Sequence, residues 1–200
     1  MDELRPGLWH WKTQHPNIGA EVSSYFHAPS GTLIDPFEPS DDSAFESSPP
    51  QRIVMTNRHH VRDVADLRAR FDVPILCPAG GLHEFEGDAG IDVDGYEVGD
   101  GFEPGITVLP NGAITPEEVT LWIESGPGAL HFADAIIHYG EEIGFVPDNL
   151  LGEDADVVKR RIRDAAANLL DHDFDDLLFA HGDPILGGGH TALTEFARGG

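Results

Sequence analysis

Basic residues are scarce in this sequence of 200 residues. Lysine and arginine number 12 against 36 acidic residues, and Lys12 and Lys159 are the only lysines. A nucleic-acid site needs a basic patch of useful size, and so few scattered cations do not provide one. The same scarcity disfavours adsorption to an anionic membrane surface. We therefore expect neither a nucleic-acid nor a membrane partner, and the oligomeric state stays open.

Cysteine and long apolar runs are also scarce. Cys77 is the single cysteine, which excludes an internal disulfide and fits a reducing compartment. No run approaches the roughly 20 apolar residues of a membrane-spanning helix. The first residues include Asp2 and Glu3 and have no apolar core of signal-peptide length. These absences predict a soluble, cytoplasmic protein, and the length fits one domain over residues 1–200.

The acidic residues give a formal net charge of -24. Charge of this size repels itself in dilute buffer and destabilises the compact state, and halophilic proteins use this balance. A salt-loving source is therefore our interpretation of the composition.

Stability should respond to salt if this interpretation is right. We expect the free energy of unfolding to rise between dilute buffer and about 1 M KCl, because the Debye length falls to about 3 Å and screens the repulsion. Denaturant melts at both salt concentrations measure the difference. A free energy that stays level across this range would contradict the interpretation.

Short apolar runs alternate with helical patterns along the chain. A strand over 53–56, a helix over 63–71 and a strand over 73–78 predict a parallel pair of strands. The clearest amphipathic helix covers 156–170. An exposed loop is predicted over 38–50, which is rich in serine, proline and acid. The apolar run 130–137 contains Asp134, a costly place for a carboxylate without a partner.

Ligand-capable side chains follow the first of these strands. The strand ends at Thr56, and the next four residues are Asn-Arg-His-His. Open α/β sheets place their chemistry at the carboxyl ends of strands. The stretch resembles the Thr-His-x-His-x-Asp-His motif of the metallo-β-lactamase-fold hydrolases, whose side chains hold one or two metal ions. Thr56 and His59 match this motif.

Three further short motifs resemble the same family. Phe132-Ala133-Asp134 looks like the family's Gly-Asp, whose carboxylate bridges two metals. Ala180-His181-Gly182-Asp183-Pro184 is similar to its late His-Gly turn, which carries the last ligand. Leu33-Ile34-Asp35-Pro36 resembles an early strand end near the site. The resemblance implies an α/β fold, a four-layer αββα sandwich of two mixed β-sheets with helices on the outer faces.

The metal-binding motif departs from the family pattern. Asn57 replaces the first histidine, Val61 the aspartate and Arg62 the last histidine. The family has another histidine where this chain has the stretch 109–116, and no histidine occurs between Glu84 and Leu130. The resemblance therefore implies that neither of two metal sites is complete.

The matching residues still amount to the ligands of one ion. Two imidazoles and a carboxylate with an open position form the ligand set of a catalytic zinc. We take His59, Asp134 and His181 as the candidate ligands, with His60 as an alternative ligand or orienting neighbour. A single zinc would then activate water against an ester, thioester or amide, and Asp134 would also orient that water.

A metal-free interpretation stays open beside this one. Arg62 is a permanent cation that can bridge carboxylates. If it fills the vacated pocket with Asn57 and pairs with Asp134, the protein is a catalytically silent binding or scaffold module. The substrate is undetermined on either interpretation.

Two acidic positions are assigned simpler roles. Asp35 precedes a proline, so we interpret it as a turn or cap residue rather than a catalytic one. Glu117 and Glu118 are adjacent, so an extended segment would direct them to opposite faces. They are therefore not predicted to act as an acid pair.

Overall fold

The computed structural model describes residues 1–87, 91–111, 114–152 and 154–199. Its first sheet has seven strands that follow one another in chain order. The strands are β1 Asp2–Arg5, β2 Leu8–Gln14, β3 Glu21–His27, β4 Thr32–Ile34, β5 Arg52–Val54, β6 Ile75–Pro78 and β7 Val93–Tyr96. Pairs from β1 to β4 are antiparallel and pairs from β4 to β7 are parallel, so the sheet is mixed.

The second sheet has five strands in the order β12-β11-β10-β9-β8. Their bounds are β8 Ile106–Pro110, β9 Val119–Ile123, β10 Ala129–Phe132, β11 Asp176–Phe179 and β12 Ile185–Leu186. Only β10 and β11 are parallel, and the other neighbours run antiparallel. This sheet is therefore mixed as well.

Four α-helices occur in the described residues. They are α1 Ser43–Ser47, α2 Val64–Phe71, α3 Ala155–Leu169 and α4 Gly189–Arg198, and short 3-10 helices cover Ala28–Ser30, Ala79–Phe85 and Asp148–Leu150. The α3 helix begins at the cap residue Asp154, whose side chain accepts a hydrogen bond from the amide of Val157 at 3.1 Å.

No helix among the described residues combines the length and the apolar character needed to cross a bilayer.

Alternating side chains bury both faces of each sheet. In β3, Tyr25 packs between the two sheets, whereas Phe26 packs under α1 and α2. In β11, Leu178 faces the other sheet and Phe179 packs against the helical layer of α3 and α4. Since strand neighbours point to opposite faces, each sheet needs a partner layer on both sides. The four-layer αββα sandwich predicted from the sequence is confirmed.

The predicted exposed loop over 38–50 is wrong in its centre. Residues 43–47 form α1, and Phe45 is buried against Trp11, Phe26 and Phe71 in edge-on aromatic contacts. Burying one phenylalanine stabilises by about 1.5–3 kcal/mol. A single aromatic residue among serines and acids produces no helical periodicity, so the sequence pattern did not indicate this anchor.

The second sheet also departs from prediction near Asp134. The predicted strand over 130–137 ends in the structure at Phe132. Asp134 thus lies in the turn beyond the strand, with 23% of its side chain exposed, rather than inside a buried strand. The apolar residues that follow it belong to this turn.

Candidate metal centre

The ends of two parallel strand pairs, one in each sheet, bring the candidate residues together. Asp35 follows β4, and Asn57 and His60 follow its parallel neighbour β5. Asp134 follows β10, and His181 follows its parallel neighbour β11. Because parallel neighbours end at the same side, each sheet contributes one pair of loops to the site.

Asp134 is at the centre of the cluster. Its Oδ1 lies 2.9 Å from Nε2 of His181 and 3.2 Å from Nε2 of His60. Its Oδ2 accepts a hydrogen bond from the Asn57 amide at 3.0 Å. Two imidazoles from different sheets therefore converge on one carboxylate oxygen.

A second carboxylate lies behind His60. Oδ2 of the fully buried Asp35 is 3.0 Å from Nδ1 of His60. This is an ion-pair distance, but the angle of the contact departs from that of a good hydrogen bond. The Asp35 carboxylate is itself held by the amide of Thr56 at 2.8 Å and by its hydroxyl at 2.5 Å. A carboxylate on the far ring nitrogen orients a histidine and leaves Nε2 to act as a ligand.

The electrostatics of the cluster are strongly coupled. Burial would lower the pKa of His60, but Asp35 and Asp134 raise it to about 9. Burial would raise the pKa of Asp134, but His60 and His181 hold it well below its usual range. The pKa of His181 is lowered, mainly by burial. A neutral His181 and an ionised Asp134 are the protonation states that a metal needs, whereas His60 must give up a proton.

Glu118 fixes the turn that presents Asp134. Its Oε1 accepts hydrogen bonds from the backbone amides of Asp134 at 3.1 Å and Ala135 at 2.7 Å. Burial, and then the nearby Asp134, raise the pKa of Glu118 to about 8. Its neighbour Glu117 points elsewhere, to a close ion pair with Arg58. The two acids therefore contact different groups. The positioning role of Glu118 was missed because nothing in the sequence indicated which acid is buried.

The structure places His60, not His59, in the cluster. The His59 side chain is exposed, and the His59 amide donates to Oδ1 of Asn57 at 3.0 Å. The chain turns after Thr56, with the His60 amide bonded to the Asn57 carbonyl, so counting alternate residues of an extended strand fails here. Val61 packs with the outer apolar layer and does not face the cluster.

Arg62 does not pair with Asp134. Its Nη1 donates to the Ser23 carbonyl at 2.7 Å and, in a closer contact, to the Asp35 carbonyl. Its Nη2 is 3.4 Å from the Ala180 carbonyl. The predicted Arg62–Asp134 ion pair is therefore wrong, and Asn57 is the replacement residue that contacts the carboxylate.

Asp35 is more than the turn residue that we predicted. It does end a strand, with φ of 45°, but its carboxylate faces inward to His60. An aspartate directly after a buried strand was the available signal, and it carried no information on which way the side chain points.

The donor set fits a transition-metal ion. One ligand atom from each of His60, Asp134 and His181 lies within 4.8 Å of the others. Two imidazole nitrogens and one carboxylate oxygen suit zinc and leave a coordination position open. Metal binding by these residues stays a prediction.

The comparison with solved structures identifies the fold. No protein-family model matches the sequence, and no curated protein matches it. A metallo-β-lactamase from Hirschia baltica aligns over 98% of this chain and 95% of its own, with a TM-score of 0.65 and 16% identity. A metallo-β-lactamase family protein from Thermus thermophilus aligns over 98% and 80%, with a TM-score of 0.68 and 14% identity.

An archaeal protein of the same superfamily, from Sulfolobus tokodaii, aligns over 96% of this chain and 85% of its own, with a TM-score of 0.65 and 13% identity. Similarity at this level of identity establishes architecture. The chain has the metallo-β-lactamase fold.

Proposed function

We propose that the protein is a hydrolase that uses a single metal ion, held by His60, Asp134 and His181, on an ester, thioester or amide. The observation that carries the proposal is the approach of two imidazole Nε2 atoms to Oδ1 of Asp134, at 2.9 and 3.2 Å, where strands of both sheets end. The fold agrees with a hydrolase, and that support is by analogy.

The chain supplies the positioning that such chemistry needs. A bound zinc would lower the pKa of its water to about 7 and polarise the substrate carbonyl. Asp35 holds the His60 ring from behind, and Glu118 holds the backbone that carries Asp134. The Asp134 carboxylate is partly exposed, so it would be able to accept a hydrogen bond from the attacking water.

One ion fits these residues better than two. Oδ2 of Asp134 is engaged by the Asn57 N–H rather than left for a second cation. Among the residues that the structure describes, no other group of three histidine, cysteine or acidic side chains converges closely enough to hold an ion. Both observations support a centre with a single ion.

Replacing one of the two adjacent histidines tests the proposal. His60→Ala should weaken zinc binding by more than the roughly 10- to 100-fold that loss of an outer-shell partner costs, because it removes a ligand. His59→Ala should bind zinc as the wild type does, since the His59 side chain is exposed. Metal analysis after dialysis against zinc gives stoichiometry, and competition with a chelator gives affinity. Equal loss in both variants, or no zinc in folded wild-type protein, would reject the proposal.

A metal-free binding module is the second candidate. Its support is that Asp134 already contacts Asn57, His60 and His181, and that His60 lies between two carboxylates that favour its protonated form. In that state an imidazolium supplies the positive charge that an ion would bring. A zinc stoichiometry near zero in folded protein would favour this candidate.

A further inference from the structure

A cavity of about 440 Å³ lies between strand ends of the two sheets. Pro78 ends β6 and Tyr96 ends β7 in one sheet, whereas Pro110 ends β8 and Val119 begins β9 in the other. The volume is in the range of small-molecule sites. In the described part of the chain, none of the three proposed metal ligands lines this cavity. The cavity is therefore distinct from the proposed ligand set.

Most of the cavity wall is apolar. Besides the four residues at the strand ends, the wall contains Ala79 and Val98, and Val98 is 52% exposed. The apolar body of a ligand gains free energy when it leaves water for such a wall. The cavity is thus suited to a ligand that is mainly apolar.

The charged residues of the wall leave negative charge without a counterion. Arg58 is the one permanent cation among the described lining residues. It is already engaged with Glu117, in a close contact, and with Glu84 at 3.1 Å. Glu97 and Glu118 also line the cavity, and neither takes part in an ion pair within the described ranges. The wall therefore favours a cation over an anion.

Glu118 also has an unpartnered oxygen. It is 1% exposed, and its Oε1 accepts hydrogen bonds from the amides of Asp134 and Ala135. The same oxygen accepts a hydrogen bond from Nδ2 of Asn111 at 3.2 Å, and Asn111 lines the cavity as well. Oε2 has no hydrogen-bond partner among the described residues. Because such a buried oxygen is costly, a ligand N–H that reaches it makes a hydrogen bond that the free protein lacks.

We propose that this cavity binds a small apolar molecule with a primary ammonium group, which donates a hydrogen bond to Oε2 of Glu118. The apolar wall contacts the body of the molecule, and Glu97 and Glu118 balance its charge. An ammonium group also supplies the cation that a buried carboxylate needs. The inference requires no metal ion and goes beyond the proposed hydrolase activity.

Two aromatic probes of similar size test the ligand class. Phenethylamine carries an ammonium group at neutral pH, and phenethyl alcohol has the same apolar body without the charge. The amine should bind at least about tenfold more tightly, as expected for a hydrogen bond to a charged group. Hydrocinnamate, which carries a carboxylate, should bind more weakly than either. Nitrogen-15 NMR titration at fixed pH and ionic strength measures the affinities.

The same spectra locate the bound amine. Shifts centred on Val98 and on the Asn111 side-chain amide place it in the cavity. Shifts centred on His60 and His181 would mean that the amine binds at the candidate metal centre, and would overturn the inference.

Two variants with matched controls test the role of charge. In Glu118→Gln the preference for the amine over the alcohol should fall to about one. Val98→Lys places a cation at an exposed part of the wall and should weaken amine binding about fivefold without changing alcohol binding. Glu141→Gln and Leu150→Lys make the same charge changes at exposed positions between β10 and α3, outside the cavity, and should bind as wild type does.

Circular dichroism establishes that each variant is folded. If Glu118→Gln does not fold, Val98→Lys decides the test, because its side chain takes no part in the turn that presents Asp134. Equal affinity of wild type for the amine and the alcohol overturns the inference. So does equal weakening in a variant and its control, since this would be a long-range effect of net charge.

A lysine side chain of another protein is the alternative source of an ammonium group. N-acetyl-lysine methylamide represents it and should bind more weakly than phenethylamine, because its slender chain covers less of the apolar wall. Tighter binding of the lysine probe would overturn the assignment of the cavity to a small molecule.

Discussion

Arg5→Ala should lower the free energy of unfolding by about 3 kcal/mol or more, because it leaves a buried carboxylate without its cation. Asp176 is fully buried, and Arg5, in β1 of the other sheet, donates a hydrogen bond to each of its carboxylate oxygens. After the substitution, the one remaining donor to Asp176 in the described residues is the Gly187 amide at 2.8 Å. Urea melts at one salt concentration measure the loss.

A surface ion pair gives the matched comparison. Arg68→Ala removes a contact to Asp92, whose side chain is 88% exposed, and should cost less than about 1 kcal/mol. Combining Arg5→Ala with Asp176→Asn should recover part of the loss, since the amide carries no charge to bury. Similar small losses for Arg5→Ala and Arg68→Ala would show that the buried pair does not hold the sheets together.

The strand order near the site could be predicted from local pattern. The strands around residues 53 and 75 are separated by a helical stretch, and such a unit pairs its strands in parallel, as β5 and β6 do. Element ends were harder to predict. Apolar Ala135 and Ile136 continue the pattern past β10, although the backbone has already turned. Buried positions in a turn and in a strand are both occupied by apolar residues, so the sequence does not distinguish them.

The site was predictable as a set of strand ends but not as a set of side-chain directions. The resemblance to the metallo-β-lactamase motifs grouped Asp134 with His181, and the structure shows that they follow parallel neighbouring strands. The choice between His59 and His60 depends on the turn after Thr56, which tertiary contacts decide. Glu118 and Asp35 are the same residue type as many exposed acids in this chain, so their burial was not visible in the sequence.

Gly182→Ala should destabilise the protein by about 3 kcal/mol or more and, at the proposed metal centre, weaken zinc binding. The residue has φ of 109°, and a Cβ there would lie 1.8 Å from the His138 carbonyl oxygen. The two segments are bonded in both directions, from the His138 amide to the His181 carbonyl at 2.9 Å and from the Asp183 amide to the His138 carbonyl at 3.1 Å. The added methyl group causes overpacking as well as backbone strain. The shift that relieves this overpacking should displace the neighbouring His181.

Gly140→Ala separates these two costs. Gly140 has φ of 94°, and no described atom lies within 4 Å of its added Cβ, so only the strain of about 1–2 kcal/mol remains. Its zinc affinity should equal that of wild type. Chemical melts and chelator competition on both variants make the comparison. If Gly182→Ala is as mild as Gly140→Ala, the segment at His138 moves aside easily, and His181 is not held by close packing of the two segments.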